Sequence, residues 1–194
     1  MWEERYAGEE YVYGTEPNDF VRASVAGLSP GDALCLAEGE GRNAVYLAGL
    51  GHRVTAVDYT RSGMAKARAL ARTRGVEIET VTADLAEYPL GERCWDLIVA
   101  TYAHLWPELR VRVHRAVVTA LRPGGLFVLE AYTPAQLQYT TGGPSRADLM
   151  MTLAELQQEL AGLHFEHALE CEREVREGPR HSGLAAVVQV RARS

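Results

Sequence analysis

The 194-residue sequence contains no run approaching the ~18 consecutive apolar residues that a membrane-spanning helix needs, and no periodic or low-complexity tract. A membrane-spanning, collagen-like or low-complexity chain is therefore excluded. Cysteine is scarce. Cys35, Cys94 and Cys171 are odd in number, far apart and without a CxxC pair, which argues against a disulfide framework or a zinc ribbon. Cys35 sits in an apolar run, where a thiol behaves as a small hydrophobe. The six histidines show no zinc-ligand spacing, and no metal is expected. Positive charge is in deficit: 20 basic against 26 acidic residues leaves −6, which disfavours nonspecific binding to phosphate backbones. The opening Met1-Trp2-Glu3-Glu4-Arg5 lacks an apolar leader, so no signal peptide is visible and the cytoplasm is the expected address.

What is present is 47% apolar residues, enough for a real core, arranged as alternating strand and helix patterns. The apolar runs Ala33–Ala37, Arg53–Asp58, Val76–Val81, Trp95–Thr101 and Leu126–Tyr132 read as five strands. Between them, Arg42–Leu50, Arg61–Arg74 and Glu108–Leu121 have helical spacing, the second closing at Gly75 and the third opening at Pro107. Thr152–Ala161 is a further helix, with Thr152 and Glu155 spaced as a capping box. His164–Arg176 and Leu184–Arg193 have no helix between them and must pair as a hairpin. The expected fold is α/β: a Rossmann-like three-layer sandwich with a seven-stranded, mostly parallel sheet and an antiparallel C-terminal hairpin. One domain is expected, with residues 1–32 as an aromatic-rich cap (Trp2, Tyr6, Tyr11, Tyr13, then a helix at Asn18–Ala26) on a core from 33 to 194. Thr133–Asp148 is the longest expected loop.

Glu38-Gly39-Glu40-Gly41-Arg42-Asn43-Ala44 follows the first strand and opens the first core helix. A doubly wound sheet binds its ligand at that edge, where glycines admit close backbone approach and helix amides can meet an anion. Asp58 ends the second strand, placed to accept both hydroxyls of a ribose. Taken alone, Gly-x-Gly-x-x-Ala is also an ordinary tight turn. Both NAD and S-adenosylmethionine satisfy these residues. Thr82-Ala83-Asp84-Leu85 then offers a carboxylate to an adenine amino group. The terminal hairpin replaces a second nucleotide-binding half, and the chain lacks room for a dehydrogenase's separate substrate domain.

In this order and spacing the residues resemble class I S-adenosylmethionine-dependent methyltransferases. Leu34–Asn43 (LCLAEGEGRN) is similar to the family's first motif, Val57-Asp58 to the second, Thr82-Ala83-Asp84 to the third and Asp96–Thr101 to the fourth, while Leu121–Leu129 (LRPGGLFVL) resembles the segment that leads into the fifth strand. Tyr13-Gly14-Thr15-Glu16-Pro17-Asn18, Gly39–Leu47 (GEGRNAVYL), Glu130-Ala131-Tyr132-Thr133-Pro134 and Gly142-Gly143-Pro144 are similar to the tellurite-resistance and thiopurine methyltransferase-like branch. Two positions depart: Cys35 stands where the family usually has an acidic residue, and Ala37-Glu38 where it often has Gly-Cys. Glu38 is placed to supply the missing charge for the donor's ammonium group.

The resemblance implies methyl transfer from a sulfonium to a small-molecule acceptor such as a thiol or a chalcogen oxyanion. It implies donor contacts from Ala37, Glu38, Gly39, Glu40, Gly41, Asn43, Asp58, Tyr59, Ala83, Asp84, Leu85 and Thr101. Tyr102 and His104, just past the fourth strand, are the candidates for a general base where the acceptor needs one. Tyr11, Tyr13 and Phe20 are the candidate lid, with Thr133–Asp148 beside them, and Glu130 and Tyr132 are expected at the substrate mouth. Arg61, Lys66, Arg68, Arg72 and Arg74 make a basic helix face, read as solvated because no aromatic residues interleave, so neither nucleic acid nor membrane is an expected partner.

Overall fold

The apolar runs form strands of one sheet. In the computed structural model, which describes residues 2–178 and 181–194, the strands are β1 (Asp32–Leu36), β2 (Arg53–Asp58), β3 (Glu79–Thr82), β4 (Trp95–Thr101), β5 (Leu121–Tyr132), β6 (His164–Arg176) and β7 (Ser182–Arg193). Their order is β3-β2-β1-β4-β5-β7-β6. The first five are parallel, and β7 runs antiparallel between β5 and β6. The chain leaves β1 toward β2 and β3, then returns to lay β4 on β1's other side. That reversal opens a crevice at the carboxyl ends of β1 and β4.

The helices are α1 (Trp2–Tyr6), α2 (Asp19–Ser24), α3 (Arg42–Gly49), α4 (Arg61–Arg74), α5 (Pro107–Ala120) and α6 (Leu153–Glu159). Strand side chains alternate between two faces. Ala33, Cys35, Val54, Ala56, Leu97 and Val99 pack under α2, α3 and α4, together with Val21, Leu47, Met64 and Ala67. Leu34, Leu36, Ile98, Ala100, Phe127 and Leu129 face the other way, onto Val113 and Val117 of α5 and Leu156 of α6. Three layers follow directly from that period of two. Across the second face a buried charge cluster ties α5 to α6: Arg110 bonds Glu159 at 2.7 Å, and His114 bonds the same carboxylate at 2.6 Å.

Several boundaries differ from expectation. β3 is only four residues, at the sheet edge, because Val76 and Ile78 turn into the apolar cluster of α3 and α4 instead of extending the strand. β5 starts at Leu121, which pairs with Trp95 ahead of a register shift. α2 is shorter than Asn18–Ala26, with Asn18 as its cap accepting from the Val21 amide. The expected helix at 152–161 is Leu153–Glu159, capped by the Thr152–Glu155 box as anticipated. The cap segment carries an unexpected helix, α1. The expected Thr133–Asp148 loop is no free flap: it holds two 3-10 turns, and the buried Gln136 accepts from the Ala186 amide of β7 and donates to Thr141. The hairpin's turn includes Pro179 and Arg180, which lie outside the described residues.

Gly41 caps α3 at φ +93°, and a Cβ there would sit 2.6 Å from the Ala67 backbone. Left-handed strain and a backbone clash coincide at this position. Gly41→Ala is expected to lower the unfolding free energy by about 1–3 kcal/mol, read from urea melts.

Candidate active site

The crevice is built from the β1–α3 turn. Gly39 (φ +64°) and Gly41 (φ +93°) turn the chain, and Ala37 takes φ +48°, a left-handed value that favours glycine. Gly41 has no side chain to cap α3. Glu38 caps it instead: one carboxylate oxygen accepts from the Asn43 amide at 2.9 Å and the Ala44 amide at 2.8 Å. Burial pushes the Glu38 carboxyl up to about 7, against the lowering pull of those amides and of Arg42. The helix amides expected to meet an incoming anion are thus already partly occupied by a carboxylate. Cys35 is fully buried beneath, its thiol pushed up by burial and by Glu38.

Asp58 fastens the other side of the turn. It accepts from the Gly39 amide at 2.9 Å, the Thr60 amide at 2.8 Å and the Thr60 hydroxyl at 2.6 Å. The N-terminal segment forms the outer wall. Tyr6 is buried, and a Cβ on Gly39 would meet its hydroxyl at 2.8 Å. Glu3 accepts from the Arg61 and Ser62 amides at the head of α4. Glu40 does not face an open site: one oxygen accepts from Val12 and Tyr13 amides, and the other pairs with Lys66 at 2.7 Å. Tyr59 is 55% exposed, Leu85 is buried, Ala83 is half-buried, and Asp84 is exposed with its carboxylate on the Ala86 amide. Asn43 donates to the Thr101 hydroxyl at 2.9 Å, linking the turn to the end of β4.

Beyond Thr101 lies a buried polar network that sequence reasoning missed. Glu130 is fully buried and accepts from Tyr102 (2.7 Å), Asn18 (2.7 Å), Gln189 (2.6 Å) and Arg173 (2.5 Å). Glu177, on the hairpin, accepts from Asn18 (2.7 Å), Arg42 (2.7 Å) and Arg173 (3.1 Å), and His181 Nδ1 lies 3.0 Å away. Hydrogen bonds from His181 and Arg42, with the Arg42 charge, hold the Glu177 carboxyl down at about 2, against burial. The rings of Tyr13, Tyr102, His104, Tyr132 and His181 gather there, with Tyr102 and His181 centroids 4.4 Å apart and His104 stacked on Tyr132. Arg42 Nη1 and the Nε2 atoms of His104 and His181 are buried with no hydrogen-bond partner.

Three expectations need correction. Tyr102 is no ready base: burial and Glu130 lift its hydroxyl well above the ordinary phenol range, and it donates to Glu130. Tyr11 is a structural residue, bonded to the Lys66 carbonyl and packed near Val45 and Leu70. Phe20 lies against His167 in a tilted ring pair, outside the ring cluster. His104 Nδ1 lies 2.9 Å from the Leu149 carbonyl. A carbonyl only accepts, so Nδ1 carries the proton and Nε2 the lone pair. Nothing in the histidine spacing singles out His181, which lies at the mouth of β7, against Glu177. The signals available were the Arg of GEGRN and the Glu177-Gly178 turn, neither of which names a partner.

Residues 33–125 match the family model described as a methyltransferase domain. A probable S-adenosylmethionine-dependent methyltransferase of Mycobacterium tuberculosis is 32% identical over 113 residues, covering 57% of this chain and 38% of that protein. One from Mycolicibacterium smegmatis is 30% identical over 146 residues, covering 71% of this chain and 54% of that protein. Over part of its length the chain is thus similar to a methyltransferase domain and to S-adenosylmethionine-dependent methyltransferases. It spans 38–54% of the length of these curated relatives. TehB from Haemophilus influenzae superposes with a TM-score of 0.78 at 22% identity, covering 99% of this chain and 67% of that chain, and so has the same fold. Among the described residues no helix is long and apolar enough to cross a membrane, and no cluster of three metal-ligating side chains occurs.

Burial lowers His104 from its ordinary 6.5 to about 4. The unfolded chain therefore binds a proton that the folded one refuses. The stability linked to His104 is complete above pH 6.5 and is lost as pH falls toward about 4. Glu38 runs oppositely, its contribution lost as pH rises from 4.5 to about 7. Subtracting a variant isolates the histidine: relative to His104→Gln, the native protein should lose on the order of 2 kcal/mol between pH 7 and pH 4.5, read from urea melts.

Proposed function

We propose that this protein transfers the methyl group of S-adenosylmethionine to a small-molecule nucleophile held among the rings at the ends of β4 and β5. The observation that carries this reading is the carboxylate already seated on the head of α3. A dinucleotide would bring its pyrophosphate to those same amides, and Glu38 opposes that charge. A zwitterionic amino-acid tail with an ammonium group suits the same place, because both helix amides fall on one Glu38 oxygen.

The residues fit such a donor. Gly41 packs against Ala67 of α4, while Gly39 is covered by the Tyr6 hydroxyl, the end of a side chain that can shift. Ala37, Glu38, Gly39, Asn43 and Thr101 would hold the amino-acid end and Asp58 the ribose. Tyr59, Ala83, Asp84 and Leu85 would flank the adenine. When bound, the donor supplies an electrophilic sulfonium methyl. The protein's share is to orient and to keep water out, and orientation alone supplies ~7–11 kcal/mol in well-aligned reactions. Tyr6, Tyr13, Tyr102 and Tyr132 provide the apolar cover. The unpartnered, buried Arg42 Nη1 favours an acceptor with anionic character, consistent with a thiol or a chalcogen oxyanion. The net charge of −6 argues against a nucleic-acid substrate.

Calorimetric titration with S-adenosylhomocysteine should give micromolar binding, and NAD none. Asp58→Asn should weaken S-adenosylhomocysteine by about 10- to 100-fold, as expected for a lost charged hydrogen bond of ~1.5–3 kcal/mol. Tight NAD binding, or an unchanged constant in the variant, overturns the placement.

A further inference from the structure

We infer that His181, oriented by Glu177, is a catalytic base that takes the proton of a protonated acceptor at the ring cluster. The inference rests on the methyltransferase reading above. His181 is 2% exposed, and its Nδ1 lies 3.0 Å from a Glu177 oxygen. A carboxylate only accepts, so the proton of this contact sits on Nδ1, and in the neutral form of the ring the lone pair is at Nε2. That Nε2 is buried without a partner. A buried polar atom left unpaired is costly. Carboxylate, imidazole and an unengaged nitrogen form the arrangement in which a histidine accepts a proton and the acid then stabilises the cation.

The surroundings are consistent with that role. Glu177 is fixed from three sides, by Asn18, Arg42 and Arg173, so it cannot turn away from the imidazole. Arg42 opens α3 directly after the glycine turn, which ties the imidazole's anchor to the donor side of the crevice. The groups around the His181–Glu177 pair are Arg42 from α3 and Arg173 from β6, both on Glu177, with Tyr102 and His104 from the end of β4, Tyr132 from β5 and Tyr13 from the N-terminal segment beside the imidazole. Of these, Tyr102 already donates to Glu130, and burial makes His104 a weak base. Within this ring cluster, His181 combines an unengaged nitrogen with a carboxylate behind it.

The chemistry balances within the site. The acceptor's lone pair forms the new bond to the methyl carbon. The carbon–sulfur bonding pair stays on sulfur and neutralises the sulfonium. The acceptor's proton passes to His181 Nε2, and the imidazolium is paired with Glu177 until solvent takes the proton.

The test compares two thiols in a radiolabelled methyl-transfer assay at neutral pH. 2-Mercaptoethanol is almost wholly protonated there, and 4-nitrothiophenol is almost wholly ionised. His181→Gln should slow transfer to 2-mercaptoethanol by about 10²- to 10⁴-fold. Transfer to 4-nitrothiophenol, and S-adenosylhomocysteine binding, should change by no more than a few-fold. With 2-mercaptoethanol the native protein's rate should also fall in acid, and the variant should lack that limb. Equal losses on both thiols, no loss on either, or no transfer to either thiol by a native protein that binds S-adenosylhomocysteine overturns the role of His181. No binding of S-adenosylhomocysteine to the native protein overturns the methyltransferase reading itself. Nitrogen-15 imidazole spectra of the native protein need no variant: they should show His181 protonated at Nδ1 and bare at Nε2, and the opposite tautomer sinks the proposal.

Discussion

Two carboxylates, Glu130 and Glu177, are buried where the sheet meets its hairpin, and the geometry of the crevice depends on how their charge is met. Taking such groups out of water costs several kcal/mol each, recovered only where the partners are close and complete. Here Arg173 reaches both, Arg42 reaches Glu177, and Asn18 directs its two side-chain N–H bonds to one oxygen of each. The network joins the cap segment, α3, β5, β6 and the hairpin turn. Removing one partner strands a buried charge, a loss of about 3–5 kcal/mol in comparable networks. That sensitivity fixes the hairpin against β5, and with it the placement of His181.

The donor side obeys a different logic. Its turn carries glycine where Tyr6 and α4 come close, and each neighbouring carboxylate is engaged by backbone amides. Glu38 caps the head of α3, Asp58 holds the Gly39 amide, and Glu40 holds the cap segment. A ligand entering here meets a frame already held by carboxylates. Carboxylate oxygens at a helix head disfavour a phosphate there and suit hydroxyl and ammonium groups. The two sides meet at α3's first turn, where Arg42 turns toward Glu177 and Asn43 toward Thr101.

The difference explains what could be read from the sequence. Strand and helix periods are local, so β2, β4, β6 and α4 match their expected limits to the residue. β3 fails because an edge strand has one neighbour, and its apolar residues find better burial against α3 and α4. The glycine turn and Asp58 announce themselves because the fold prescribes where each must sit. The acceptor side has no such prescription. Asn18 and Glu177 bond across 159 residues of chain, and nothing near either indicates the other. Glu130 is legible only as a residue of the substrate mouth, and nothing local marks His181, because burial and partners come only from tertiary packing. Glu40 shows the reverse error: it lies in the right motif but is turned toward the cap segment.

The balance of forces also separates the two rims of the crevice. At the cap segment the bonds from Glu3 to α4 are exposed, and water screens them, so each holds weakly. At the hairpin the bonds are buried, charged and shared, so none can be released singly without leaving an ion uncompensated. Any opening that admits a ligand therefore costs least where Tyr6 lies over Gly39, and most where Glu177 holds His181. The rim that can yield is the one lined by the glycine turn. The rim that cannot is the one carrying a proton acceptor, which has to stay aimed while ligands come and go.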